Sequence, residues 1–198
     1  MIQVMIQAIF DLLALMVIIV WPVIPLFWIP VHGFSRIFKK LGLLTYVVPV
    51  LTWPPLAILL FARRESILEH KIVLPLAASI FGVLLLLIGT ALQVWSARLL
   101  SLRGLIGMPE VSTRVESRFV TSGPYKIVRH PTYLAHTLMF AGLFLITGMM
   151  AMGIVALLDA LLIGFIVVPL EDRELSARFG SAYDAYRQKV PGFFPFHS

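Results

Sequence analysis

Apolar residues fall into five blocks separated by short polar stretches, each to be judged against the ~20 residues a helix needs to cross a hydrocarbon layer. The first block runs from about Val4 to Pro30, broken by Asp11, Pro22 and Pro25, and predicts a span bent at its prolines. The second, about Leu43 to Ala62, contains Pro49 and the pair Pro54-Pro55, which membrane helices tolerate when neighbours satisfy the freed carbonyls. The third, about Ile72 to Ala97, includes the unbroken run Leu84 to Ile88. The fourth, Tyr133 to about Thr147, is short, and only Gly148-Met149-Met150 separates it from the fifth, about Ala151 to Val168. These two predict a tight antiparallel hairpin. The fourth is read as a thin crossing, because the full-length fifth block has to return from the other side. The pattern therefore predicts an all-α integral membrane protein of five transmembrane helices plus a cytoplasmic C-terminal amphipathic helix. It is a single domain, 1–198: residues 1–97 supply three spans, and 98–198 a polar loop, the helical hairpin and the tail.

Composition agrees with that class. Apolar residues make up 60% of the chain and charged residues 13%, against roughly 45–50% and a quarter in soluble domains. A net charge of +6 raises the question of nucleic acid, but no basic patch interleaved with aromatics stands apart from the apolar runs. The charge fits a cytoplasmic positive flank instead. With five crossings, loop one, loop three and the tail share a face carrying 13 basic residues, Arg114 among them, against 3 in loop two. That face is predicted to be cytoplasmic, with the N-terminus outside. The first apolar block lacks a basic leader and a small-residue cleavage site, so it is read as a retained span. The absence of cysteine removes disulfides, thiolate nucleophiles and cysteine-type metal sites.

Two polar stretches stand out. One is Gly123 to Tyr133, which gathers a turn signal, Lys126, Arg129, His130 and two tyrosines immediately before an apolar run. Pro131 pushes His130 out of helical conformation and begins the next helix, leaving Arg129 and His130 at a helix mouth that favours negative charge. The other begins at Pro169, with Glu171, Asp172 and Glu174 crowding a first turn, followed by a stripe of Leu175, Phe179, Tyr183 and Tyr186. That stripe predicts an amphipathic helix folded onto the membrane core or surface. The hairpin makes its two ends neighbours, so His130 and Glu171 are expected to approach although 41 positions apart. Arg129 and Glu171 together would suit a zwitterionic or cationic ligand. Equally, both could be interfacial anchors.

The run Phe119-Val120-Thr121-Ser122-Gly123-Pro124-Tyr125, then Arg129-His130-Pro131-Thr132-Tyr133, then Glu171-Asp172-Arg173-Glu174-Leu175 with Phe179-Gly180, Tyr183, Tyr186 and Val190-Pro191, resembles the isoprenylcysteine carboxyl methyltransferase family. The resemblance covers about Phe119 to Pro191; the first three spans carry no diagnostic residues. It implies a membrane methyltransferase that uses S-adenosylmethionine, releases S-adenosylhomocysteine, and acts on a lipophilic acceptor, the carboxylate of an isoprenylated cysteine. By motif position, Phe119, Val120 and Tyr125 would line the cofactor. His130, Pro131 and Tyr133 would close around it, and Glu171 would receive its amino group. Arg129 or Arg173 could orient a carboxylate acceptor bidentately, with Arg129 and Glu171 as the catalytic pair and Arg173 binding substrate. Asp172 stands where many relatives have a second glutamate. Val167 stands where eukaryotic relatives have an arginine thought to face the prenylcysteine, which puts the acceptor in doubt. By analogy the few crossings imply a prokaryotic cell membrane.

Other acceptors remain open: a lipid amine, or another small membrane thiol or acid, with an amine needing His130 or Glu171 as base. A nicotinamide-dependent membrane reductase and a scaffold or small transporter are the alternatives outside methyl transfer. Against transport, the polar residues cluster at one face. His136 and Asp159 lie inside the hairpin at depths differing by only ~5 Å, and are expected to pair across it or to act at the site. No spacing puts two metal ligands on one helical face. Trp21, Trp28, Trp53 and Trp95 read as interfacial belt residues, and the methionines as packing.

Overall fold

The computed structural model describes residues 2–112 and 118–194; Arg114, counted above toward the basic face, lies outside them. In chain order the helices are α1 (Ile2–Val20), α2 (Val23–Gly33), α3 (Ser35–Leu41), α4 (Val47–Ala62), α5 (Arg64–Glu69) and α6 (Leu76–Leu105). They continue with α7 (Met108–Val111), α8 (Pro131–Thr147), α9 (Met150–Leu162), α10 (Val168–Phe179) and α11 (Ser181–Arg187). Among the described residues, four stretches are long and apolar enough to cross a membrane: Ile2–Gly33, Ser35–Ala62, Leu76–Ser101 and Met150–Phe179. The other expected span is the shorter α8, at 17 residues. Large apolar side chains such as Leu51, Ile58 and Leu87 are exposed on the outside. A surface of that kind belongs in lipid, and the chain is a multi-pass membrane protein.

The expected bend in the first span falls at Trp21-Pro22, between α1 and α2, where proline removes a backbone donor. The expected hairpin is present too. The turn at Gly148 is fastened to loop two: Ile72 N–H donates to the Gly148 carbonyl (2.9 Å) and Met150 N–H to that of His70 (2.9 Å). Lys71 Nζ reaches Asp11 Oδ2 at 2.6 Å beside it. At ~1.5 Å per residue, the other end of α8 lies about 25 Å from this turn.

In α6 and α8 the two backbones touch. A Cβ on Gly142 would sit 2.6 Å from the Gly82 carbonyl oxygen, and one on Gly82 would sit 2.7 Å from that of Gly142. Lipid tails give helices no hydrophobic reason to associate, so close approach at small residues is what holds such a pair. The buried core is formed by Ala14 and Ile18 of α1, Phe140 and Leu143 of α8, and Met152, Val155 and Ala156 of α9.

The tail differs from expectation. No new helix begins at Pro169. A π-helical turn over Ile163–Val167 joins α9 to α10, and the last span runs unbroken to Phe179. Proline in a helix clashes with the carbonyl four residues earlier, here that of Phe165, and the wider turn lies over that carbonyl. The helix ends instead at Gly180, whose φ is +60°. The amphipathic tail is thus the projecting end of the last span followed by the short α11.

Candidate functional site

The start of α8, the end of α6, α10, α11 and the 3-10 turn Gly123–Lys126 surround a cavity of about 510 Å³. That is within the range of small-molecule sites, roughly 300–1,000 Å³. Phe119, Val120, Tyr125, Arg129, His130, Tyr133 and Glu171 all line it. Pro131 is buried and begins α8 without lining the cavity. Arg173 is exposed and lies instead in a second depression with Arg36 and Lys39.

The stripe Leu175, Phe179, Tyr183 and Tyr186 was expected on one helix facing the membrane. It faces this cavity from two helices, α10 and α11, because the break at Gly180 turns its second half across the opening. Phe119 stacks on Phe179 (centroids 5.1 Å apart) and meets Tyr186 edge-on (5.6 Å). The Tyr186 hydroxyl donates to the Tyr125 carbonyl at 2.5 Å, tying α11 to the wall opposite.

The neighbouring acids have separate duties. Asp172 is buried and accepts from Arg129 Nε (3.2 Å), Arg129 Nη2 (2.6 Å), His130 Nε2 (2.9 Å) and the Tyr183 hydroxyl (2.5 Å). Arg129 also donates through Nη1 to the carbonyls of Val190 and Arg187. Its guanidinium is therefore occupied in holding loop three, α10 and the tail together. The backbone does the same, with Arg129 N–H on the Pro191 carbonyl (2.8 Å) and His130 N–H on that of Gly192 (3.0 Å).

Glu171 turns into the cavity. Its Oε2 lies 3.4 Å from His130 Nδ1 and 3.8 Å from His32 Nε2; His130 and Tyr133 both act on this carboxylate, but none of the three closes a hydrogen bond of ordinary geometry on Oε2. The approach of His130 and Glu171 expected from the hairpin is present. Burial pulls the His130 imidazole down, but the Glu171 and Asp172 carboxylates more than offset it and raise it to about 9. Burial and the Glu171 charge push the Tyr125 phenol above its ordinary value, so it stays a donor. Glu110 Oε2, the Tyr125 hydroxyl, His136 Nδ1 and Glu171 Oε2 are each buried without a hydrogen-bond partner, and all belong to residues lining this one cavity.

The first span contributes residues that motif reading did not reach. Buried His32 of α2 contacts Glu174 (2.7 Å) and approaches Glu171. Trp28 stacks on it (5.2 Å) and forms part of the cavity wall. A signal existed in His32 itself, an ionisable residue closing an apolar run. Glu110 of α7 joins through Arg178, which bridges it at 3.0 Å to Glu174 at 2.5 Å.

His136 and Asp159 do not pair. Asp159 is fully buried and accepts from Trp21 Nε1 (3.0 Å) and the Thr137 hydroxyl (2.6 Å), so a tryptophan read as a belt residue satisfies the acid. α8 does reach Asp159, but through Thr137, one residue on and about 100° round the helix from His136.

Fold and cavity together define a multi-pass membrane protein with a ligand chamber at the end of its helical hairpin. Residues 77–182 match the family model described as phospholipid methyltransferase; the chain belongs to that family. The match contains the first motif and the second as far as Gly180, while Tyr183, Tyr186 and Val190-Pro191 lie beyond it. Among named relatives, the cobalt-zinc-cadmium resistance protein CzcN of Cupriavidus metallidurans is 36% identical over 85 residues, 43% of this chain and 39% of that protein. The nickel-cobalt-cadmium resistance protein NccN of Alcaligenes xylosoxydans xylosoxydans is 33% identical over 85 residues, with the same coverage. The chain thus matches about two fifths of the length of these relatives. No solved structure matches it.

Proposed function

We propose that this protein transfers a methyl group from S-adenosylmethionine to a lipophilic acceptor, with the donor held in the cavity between α8, α10 and α11. The observation that carries this reading is the Glu171 carboxylate facing a chamber walled by Phe119, Tyr183 and Tyr186, its buried Oε2 approached by His130 at 3.4 Å but closed by no hydrogen bond of ordinary geometry. A cationic ammonium satisfies such an oxygen, and aromatic faces suit a purine and a sulfonium. Glu171 would take the donor's amino group, Phe119, Val120 and Tyr125 would line its body, and His130 and Tyr133 would close one side. Pro131 would act from behind by fixing the start of α8. Arg129 would serve by position, through its bonds to Asp172. Arg173, outside the chamber, would meet an acceptor only from the surface.

When bound, the donor supplies an activated methyl on a cationic sulfur. Displacement at that carbon disperses charge, so the chain's part is alignment and exclusion of water. The motif resemblance supports the carboxylate of an isoprenylated cysteine as acceptor, and the family's description supports a phospholipid amine. In this reading α8 is a thin fifth crossing, the chamber faces the cytoplasm, the N-terminus lies outside, and the protein sits in a prokaryotic cell membrane.

The test is thermal stabilisation of the purified protein by S-adenosylhomocysteine. Glu171→Gln should weaken that binding about 30-fold or more, from roughly 2 kcal/mol lost with a buried charge partner. Unchanged affinity would refute the role of Glu171, and no stabilisation of the wild type would refute the methyltransferase chemistry. Labelled methyl transfer to a farnesylated cysteine analogue and to phosphatidylethanolamine then chooses the acceptor.

A further inference from the structure

On α10, Arg173 lies two residues beyond Glu171 and about 200° round the helix. It lines a depression of about 450 Å³ together with Gly33 at the end of α2 and with Arg36 and Lys39 of α3. None of these four residues lines the chamber. Among the described residues of the depression's wall, Glu174 is the one carboxylate, against Arg36, Lys39, Arg173 and Arg178. That carboxylate is buried and already engaged, by His32 at 2.7 Å, by Arg178 at 2.5 Å and by Lys39 at 3.5 Å. Arg36 and Arg173 make no hydrogen bond or ion pair with any described residue. Two guanidinium groups beside one hollow repel each other, and an anion seated between them turns that repulsion into attraction. Arg36 and Lys39 stand three apart on one face of α3. The neighbouring stripe of Phe34, Ile37 and Leu41 is apolar and exposed. α3 begins where the candidate spans Ile2–Gly33 and Ser35–Ala62 meet.

We propose that this depression binds the phosphate of an anionic phospholipid, held by Arg36 and Arg173 with Lys39 beside them. An arginine fork matches two phosphate oxygens at once, and basic pockets between membrane helices suit anionic headgroups. A free phosphate ion would meet the same guanidinium groups. The lipid is the occupant because the cations adjoin an exposed apolar stripe at the junction of two spans, where acyl chains are at hand. This lipid is not the methyl acceptor, since its headgroup sits on the far face of α10 from Glu171. It joins α3 to the helix that carries Glu171, Asp172 and Glu174, and so braces the wall of the chamber from outside. Its binding is independent of methyl transfer.

The test follows thermal unfolding of the full chain in dodecyl maltoside as dioleoylphosphatidylglycerol, dioleoylphosphatidylcholine or inorganic phosphate is added. Phosphatidylglycerol should raise the melting temperature of wild type saturably, and more than phosphatidylcholine, whose choline cancels the phosphate charge. Arg36→Gln with Arg173→Gln should weaken the apparent affinity for phosphatidylglycerol about 25-fold, about fivefold for each basic residue. Both arginines are exposed, so without lipid this double variant should melt within about 2 °C of wild type. Arg63→Gln with Lys126→Gln removes two exposed cations elsewhere and should keep the wild-type affinity, which separates a built site from net charge. Equal stabilisation by the two phospholipids, undiminished affinity in the arginine variant, or an equal loss in the variant of Arg63 and Lys126 overturns the proposal. Inorganic phosphate that reproduces the stabilisation overturns the lipid as the occupant.

Discussion

Replacing Asp172 by asparagine preserves its shape and removes its charge at the point where four elements meet. Asp172 is 3% exposed, and the Arg129 side chain facing it is 9% exposed. Its hydrogen-bond partners are all donors: two guanidinium nitrogens, His130 Nε2 and the Tyr183 hydroxyl. An asparagine turns its own amide N–H groups toward some of them and leaves the guanidinium with only the Val190 and Arg187 carbonyls. Breaking a buried ion pair from one side costs about 3–5 kcal/mol, because the remaining charge is stranded. For a chain of this size each kcal/mol moves the melting temperature by roughly 2–4 °C, so a drop of about 6–20 °C is expected. Tryptophan fluorescence during thermal unfolding in detergent would follow it. The double variant Asp172→Asn with Arg129→Gln removes the stranded charge as well and should regain about 1–2 kcal/mol over the single variant. A melting temperature within about 2 °C of wild type for Asp172→Asn, or a double variant worse than the single one, would refute the account of Arg129 and Asp172 as the clasp that closes the chamber.

Gly142→Leu should lower stability by about 1–3 kcal/mol through overpacking, since even its Cβ would meet the Gly82 carbonyl at 2.6 Å. Unchanged thermal unfolding would mean that α6 and α8 are not in backbone contact. Stability should also depend on pH through His130, whose folded value of about 9 exceeds the unfolded ~6.5. Its contribution is complete below about pH 6.5 and is lost as pH rises through 9, on the order of 3 kcal/mol in all. His130→Gln should flatten that decline; equal slopes for variant and wild type between pH 6.5 and 9 would remove the imidazole as its source.

Apolar runs located the four long candidate spans and the shorter α8, and the hairpin followed from three residues, Gly148 to Met150. The two motifs identified most of the chamber's lining, because a hairpin with so short a turn leaves its two ends nowhere else to go. Local sequence could not divide the work between Glu171 and Asp172, adjacent acids that point about 100° apart on a helix and so meet different partners. It could not bring Trp21 to Asp159 or His32 to Glu174, since those contacts join the first span to the last and depend on how the two are packed side by side. Nor could it foresee that α9 would pass into α10 without interruption: proline rules describe a regular α-helix, and one π-helical turn changes the carbonyl that Pro169 would have struck. Sequence therefore determined which polar residues gather at the ends of the apolar helices, through hydrophobicity and chain connectivity. Only tertiary packing decided which of them are held by partners and which, like Glu171 and His136, face the chamber with a bonding position unfilled.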